Sequence, residues 1–167
     1  MTTYQFFTTA WRWNSTLLIF CALVLAGYFV AFRRRGRPAY LGAALVIFLL
    51  ALISPVNALA EGYLFSAHMV QHILLVLIVP ALLLLSLPRS FSVPRPLAPL
   101  THPFIGWIAG VGAMWLWHAP ALCNAATTSR GVFAIQTISL LLMGTVFWWQ
   151  VLAPRDAERL RPAAGII

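Results

Sequence analysis

The stretch FSAHMVQHILLVLIVPALLLLSLP, residues 65–88, is apolar enough to cross a bilayer, yet it begins with two histidines, His68 and His72, four residues apart. On a helix that spacing puts both imidazoles on one face, as two ligands of a single metal ion require. A third histidine, His118, lies in the later apolar segment MWLWHAPAL. Met69 stands between the first pair, and Met114 precedes His118 by four residues. Imidazole combined with thioether is a donor set for a soft ion such as Cu(I). The competing reading is structural: intramembrane histidines hydrogen-bond to neighbouring helices, and methionines fill apolar space. Haem is disfavoured, because His68 and His72 on one helix cannot ligate opposite faces of one macrocycle.

For these residues to meet, the segments that carry them must be helices with their histidine ends on the same side of a membrane. Composition supports a membrane setting. Of 167 residues, 62% are hydrophobic and 8% charged, and the mean hydropathy is +0.89, far from a soluble domain. Five segments approach the roughly 20 apolar residues of a spanning helix: near Asn14–Phe32, Ala39–Ile53, Tyr63–Leu87, Pro103–Leu122 and Gly131–Ala153. The expected fold is all-α, a polytopic membrane helix bundle forming a single domain over residues 1–167. The net charge of +8 comes from 11 Lys+Arg against 3 Asp+Glu. In a soluble protein it would suggest a nucleic-acid partner. Here the arginines lie between apolar segments, so topology explains them and no nucleic-acid partner is expected.

Arg33, Arg34, Arg35 and Arg37 follow the first segment, Arg89 and Arg95 the third, and Arg155, Arg159 and Arg161 the fifth. By the positive-inside rule the N-terminus faces out and the C-terminus faces the cytoplasm, with Arg12 and Arg130 as minor exceptions. Tryptophans at 11, 13, 115, 117, 148 and 149 fit interfacial belts in the same frame. His68, His72 and His118 then all lie on the outer side, within roughly 6–13 Å of the helix ends at the α-helical rise.

The remaining polar residues take lesser roles. Cys21 and Cys123 lie in different segments without a C-x-x-C spacing, so no disulfide framework is expected, although either could add a thiolate. Gln71, Gln136 and Asn124 are read as hydrogen-bonding groups around the site. His102, in LTHPF, falls on the cytoplasmic side, where a helix-start role beside Pro103 is expected. Pro80 interrupts the third segment and should kink it. The three acids, Glu61, Asp156 and Glu158, fall in loops or the tail, and no Ser/His/Asp or paired-carboxylate arrangement supports hydrolysis. With no basic n-region and no A-x-A site, the first helix is expected to stay in the membrane.

In chain order, SPVNALAEGYLFSAHMVQHILLVLIVPALLLLSLP, MWLWHAPALCNAA and FWWQVLAP resemble the hallmark segments of the CtaG family of cytochrome c oxidase assembly proteins, the type linked to caa3 oxidases. The similarity runs from about Trp11 to Pro154. It implies a multi-pass protein of the bacterial inner membrane that assists copper delivery to the oxidase, with oxidase subunits as partners and no catalytic turnover. Carried over by motif, His68, His72 and His118 become candidate copper ligands, with Met69 a weaker one. Family members show H-x-x-E-H in the next helix, where this chain has Phe133, Gln136 and Thr137, and they carry more helices than the five read here. Those departures keep a second reading in view, an accessory structural subunit of a respiratory oxidase with no bound metal.

Overall fold

A segment in lipid must satisfy its own backbone N–H and C=O groups, which an α-helix does within one strand of chain. The computed structural model describes residues 5, 8–32, 35–62, 64–155 and 159, and among them there is no strand. Helices α1 (Ser15–Phe32) and α2 (Pro38–Ile53) are followed by a short α3 (Pro55–Gly62). Next comes one continuous rod, made of α4 (Phe65–Ile73), a π turn (Leu74–Ile78) and α5 (Val79–Ser86). A 3₁₀ turn (Arg95–Thr101) leads into α6 (Pro103–Trp117), a short α7 (Pro120–Thr128) and the long α8 (Arg130–Leu152). Three of these, Ser15–Phe32, Phe65–Ser86 and Arg130–Leu152, are individually long and apolar enough to cross a membrane. The 3₁₀ turn and α6, bent by 71°, make a fourth when taken as one span, while Pro38–Ile53 is a shorter apolar helix.

Helix α8 is the central post, against which α5, α6, α7 and the π turn all pack. The main core joins Phe48 and Leu52 of α2, Leu75, Val76 and Val79 of the rod, Ala113 and Trp117 of α6, and Leu140 of α8. Close approach rests on glycines. At Gly106 a methyl group would meet the Gln150 side chain at 2.9 Å, and at Gly110 the Phe147 ring at 2.7 Å. The G-x-x-x-G pair is therefore the face of α6 that lies on α8. Gly144 of α8 faces the rod, where a methyl group would run into the Val76 carbonyl and the Pro80 ring. Helix α1 buries only Cys21 and Tyr28 and shows Ile19, Phe20, Leu23 and Val30 outward. Such a helix, apolar all round and little buried, suits lipid contact.

Both ends of the bundle are tied. At one end the Arg12 N–H donates to the Ile53 carbonyl at 3.0 Å. At the other, the Ser86 carbonyl accepts from the Tyr28 hydroxyl and from the Arg37 N–H at 2.9 Å. The Phe91 ring there stands 6.1 Å from Phe32 and 6.2 Å from Trp149. Arg35, Arg37, Arg89, Arg95, Arg155 and Arg159 thus flank the end opposite His68 and His118.

Four of the expected helices agree with the structure to within two residues at the ends that can be compared. The fourth differs: it stops at Trp117 instead of Leu122, because Pro120 disfavours helical geometry at Ala119, which is extended (φ −60°, ψ 126°). Pro120 then opens α7. The region read as a loop after the second segment is helical as α3, started by Pro55 in its first turn and by Ser54, whose Oγ accepts from the Val56 N–H at 3.2 Å. Just before Pro80, where a kink is expected, the helix forms the π turn, in which the Val79 N–H reaches back to the Leu74 carbonyl. Arg33, Arg34, Tyr63, Asp156, Glu158 and Arg161 lie outside the described residues.

Overpacking of the kind a methyl group causes at Gly144 costs about 1–3 kcal/mol. Gly144→Ala should therefore lower the thermal unfolding midpoint in detergent, whereas Gly27→Ala, with nothing within 4 Å, should not. Equal midpoints would refute the close contact between α8 and the rod.

Candidate metal centre

Four side chains from two segments meet at the histidine end. His68, Met69 and His72 come from α4, and His118 is the residue that ends α6. The ring centroids are 4.2 Å apart for His68–His72, 5.4 Å for His72–His118 and 6.4 Å for His68–His118. Imidazoles sharing one ion at a bond length of about 2.0 Å have centroids roughly 5–6 Å apart, a range that the His72–His118 pair meets and the other two pairs miss. The Met69 Sδ lies 3.1 Å from the His118 Nε2, and nitrogen and sulfur donors on one ion stand roughly 3.0–3.7 Å apart.

The backbone decides how His118 presents itself. Its peptide N–H donates to the Met114 carbonyl at 3.2 Å, and its ring Nδ1 contacts the same oxygen. A carbonyl can only accept, so Nδ1 carries the proton and Nε2 keeps its lone pair, aimed at Met69. A ring N–H held by a backbone carbonyl while the other nitrogen faces the site is the usual support of a metal-binding histidine. Trp117, the preceding residue, is held by its Nε1–H donating to Ser139 Oγ at 2.7 Å, and that hydroxyl donates to the Gln136 carbonyl at 2.9 Å.

The α4 histidines are placed by Gln71. Its Nε2 donates to the Ala51 carbonyl at 2.9 Å and to the Asn57 Oδ1 at 2.8 Å. Ala51 is four residues before Pro55, which has no N–H to offer, so the last turn of α2 takes its donor from α4. His68 Nε2 is buried without a hydrogen-bond partner, whereas the buried His72 ring has the Gln136 side chain of α8 as a hydrogen-bonding neighbour. Burying a polar group unpaired costs free energy that a ligand would recover.

Residues 9–167 match the family described as cytochrome c oxidase caa3 assembly factor, Caa3_CtaG. The chain belongs to the Caa3_CtaG family. A relative in sequence is an uncharacterized protein, ML1998, of Mycobacterium leprae (strain TN), 25% identical over 188 residues. The match covers 93% of this chain and 28% of that protein, so the chain spans less than a third of the relative's length. No solved structure matches.

Within this Caa3_CtaG chain the structure gathers four of the five residues expected at a site by their side chains, His68, Met69, His72 and His118. Met114 joins through its carbonyl, while its side chain lines an apolar groove with Val76, Leu77 and Phe147. Among the described residues no group of three or more His, Cys, Asp or Glu is arranged so that it could hold a metal ion. Cys21 is buried in the core and Cys123 half-buried, both as free thiols. Asn124 is exposed and outside the group. His102 takes the helix-start role, its Nδ1 accepting from the Phe104 N–H at 3.3 Å. Phe133 and Gln136, where the family pattern departs, both line a small space beside His68, whereas the Thr137 hydroxyl bonds to its own helix at the Phe133 carbonyl.

Gln71→Leu keeps the shape but deprives the Ala51 carbonyl of this donor, a loss of about 1–3 kcal/mol. It should lower the unfolding midpoint in detergent, and Asn124→Leu should not. A Gln71→Leu protein as stable as wild type would show that the α2–α4 tie is dispensable.

Proposed function

We propose that the chain is an oxidase assembly factor that holds Cu(I) as cargo at His68, His72, His118 and Met69 on the outer side of the bacterial inner membrane. Family membership supports the assembly role. The observation that carries the copper reading is the convergence of three imidazoles with a thioether, the His68 Nε2 having no partner and His118 being locked in the tautomer that turns its lone pair inward. The four donors are all uncharged. In a low-dielectric interior the cost of burying an ion rises with the square of its charge, so a neutral, soft donor set favours monovalent copper over zinc or Cu(II). On this reading the protein acts by holding and releasing its cargo.

Orientation follows from the arginines. Six of them flank the end opposite the histidines, against Arg12 and Arg130 at the histidine end, so the histidine end faces outward. With α2 counted as a short span beside the four longer ones, the chain crosses five times, and the site opens on the side where an oxidase subunit would receive copper.

Two measurements test this. Detergent-purified protein titrated with Cu(I) against a competing chelator should bind one ion, and His72→Ala or His118→Ala should weaken binding by roughly ten-fold or more. His102→Ala, at the far end, should bind as wild type. In cells, either site variant should remain in the membrane while the oxidase loses copper. Wild-type affinity in both site variants, or an oxidase fully loaded in their presence, overturns the copper reading.

A further inference from the structure

Of the four donors His68 and His72 are buried and Met69 and His118 half-buried, and cargo has to reach the deeper pair and leave. Two cavities adjoin the region. One is an apolar groove of about 240 Å³ between the rod, α6 and α8, lined by Ile73, Val76, Val111, Met114 and Phe147 among others. An ion taking that route would shed water against hydrocarbon with nothing polar in return. The other is a space of about 10 Å³ between α3, α4, α7 and α8, the size that holds one water or one small ion. Its walls include Ala60 of α3, Ala126 and Thr127 of α7, and the polar residues His68, Gln71 and Gln136.

From this we infer that the small space between α3 and α7 is the port through which copper reaches the histidines, with His68 as the first ligand met. The inference rests on the copper-holding reading above. Exposure falls along the proposed path: Thr127 is exposed, His68 is 7% exposed, Gln136 2% and His72 1%. His68, whose Nε2 has no hydrogen-bond partner, lines the space, and the centroid of the more deeply buried His72 ring lies 4.2 Å from its own. An ion arriving there exchanges hydration for the His68 nitrogen and then passes to the deeper ring, so no step leaves it in an apolar environment. The two helices that frame the port each begin with proline, Pro55 and Pro120, and present alanine, Ala60 and Ala126, where a larger side chain would close the gap.

The port makes a kinetic statement that affinity alone does not. Filling it with Ala126→Leu should slow Cu(I) uptake from a chromophoric chelator and Cu(I) release to a stronger one together, by about ten-fold each, with Kd unchanged. Thr127→Trp, on the exposed rim where folding is not at stake, should act in the same direction. Val111→Phe, in the apolar groove, should leave both rates at wild-type values. Wild-type rates in the folded Ala126→Leu and Thr127→Trp proteins, or slowing by Val111→Phe alone, overturns the port while the histidine site stands. Failure of the wild-type protein to take up Cu(I) at all overturns the site reading and the port with it.

Discussion

One missing hydrogen governs the middle of this protein. Pro80 has no N–H, so the carbonyl of Val76 loses its helical donor in a segment where lipid supplies no substitute. A π turn from Leu74 to Ile78 lies directly before the proline, with the Val79 N–H on the Leu74 carbonyl, and Gly144, having no side chain, lets α8 lie against the Val76 carbonyl. A π turn adds one residue to the helix and rotates everything on one side of it by about 100° relative to the other. The rod can then present α5 to α2 and α8 while turning His68 and His72 of α4 toward His118. Alignment of the histidine pair and tight seating of α8 thus follow from the same proline.

The site itself is built from leftovers of backbone geometry. α6 ends at His118 because Pro120 follows, and ending there lets one carbonyl, that of Met114, accept from both the peptide and the ring of His118. α2 ends before Pro55, and the carbonyl that Pro55 cannot serve holds Gln71, and with it the face of α4 that carries the histidines. In both places a helix terminus is satisfied by a group that also orients a histidine. The short helices opened by these prolines, α3 and α7, cover the same end of the bundle and leave between them the narrow space that reaches His68.

Much of this was legible in the sequence because it depends on local chemistry. Apolar length marked the long helices to within two residues, charge placement marked which ends belong together, and the spacing of His68 and His72 put them on one face. His102 was correctly read as a helix start from the proline beside it. The G-x-x-x-G pair at Gly106 and Gly110 and the Ser-Pro start of α3 at Ser54 were visible signals that the reading passed over. The length given to the fourth helix was wrong because apolar count outweighed the proline at 120.

What the sequence determined by itself was the inventory: membrane helices, three histidines at one end, soft donors and no acid among them. These follow from side-chain type and helical period, which act over a few residues. Only the tertiary structure decided that Met69 reaches His118 by its sulfur while Met114 contributes a carbonyl, that Gln71 serves α2 and Asn57, and that Cys21 belongs to the core. Those outcomes depend on how far each helix is rotated about its axis. That rotation is set by glycine contacts, a π turn and capped helix ends acting between segments distant in the chain.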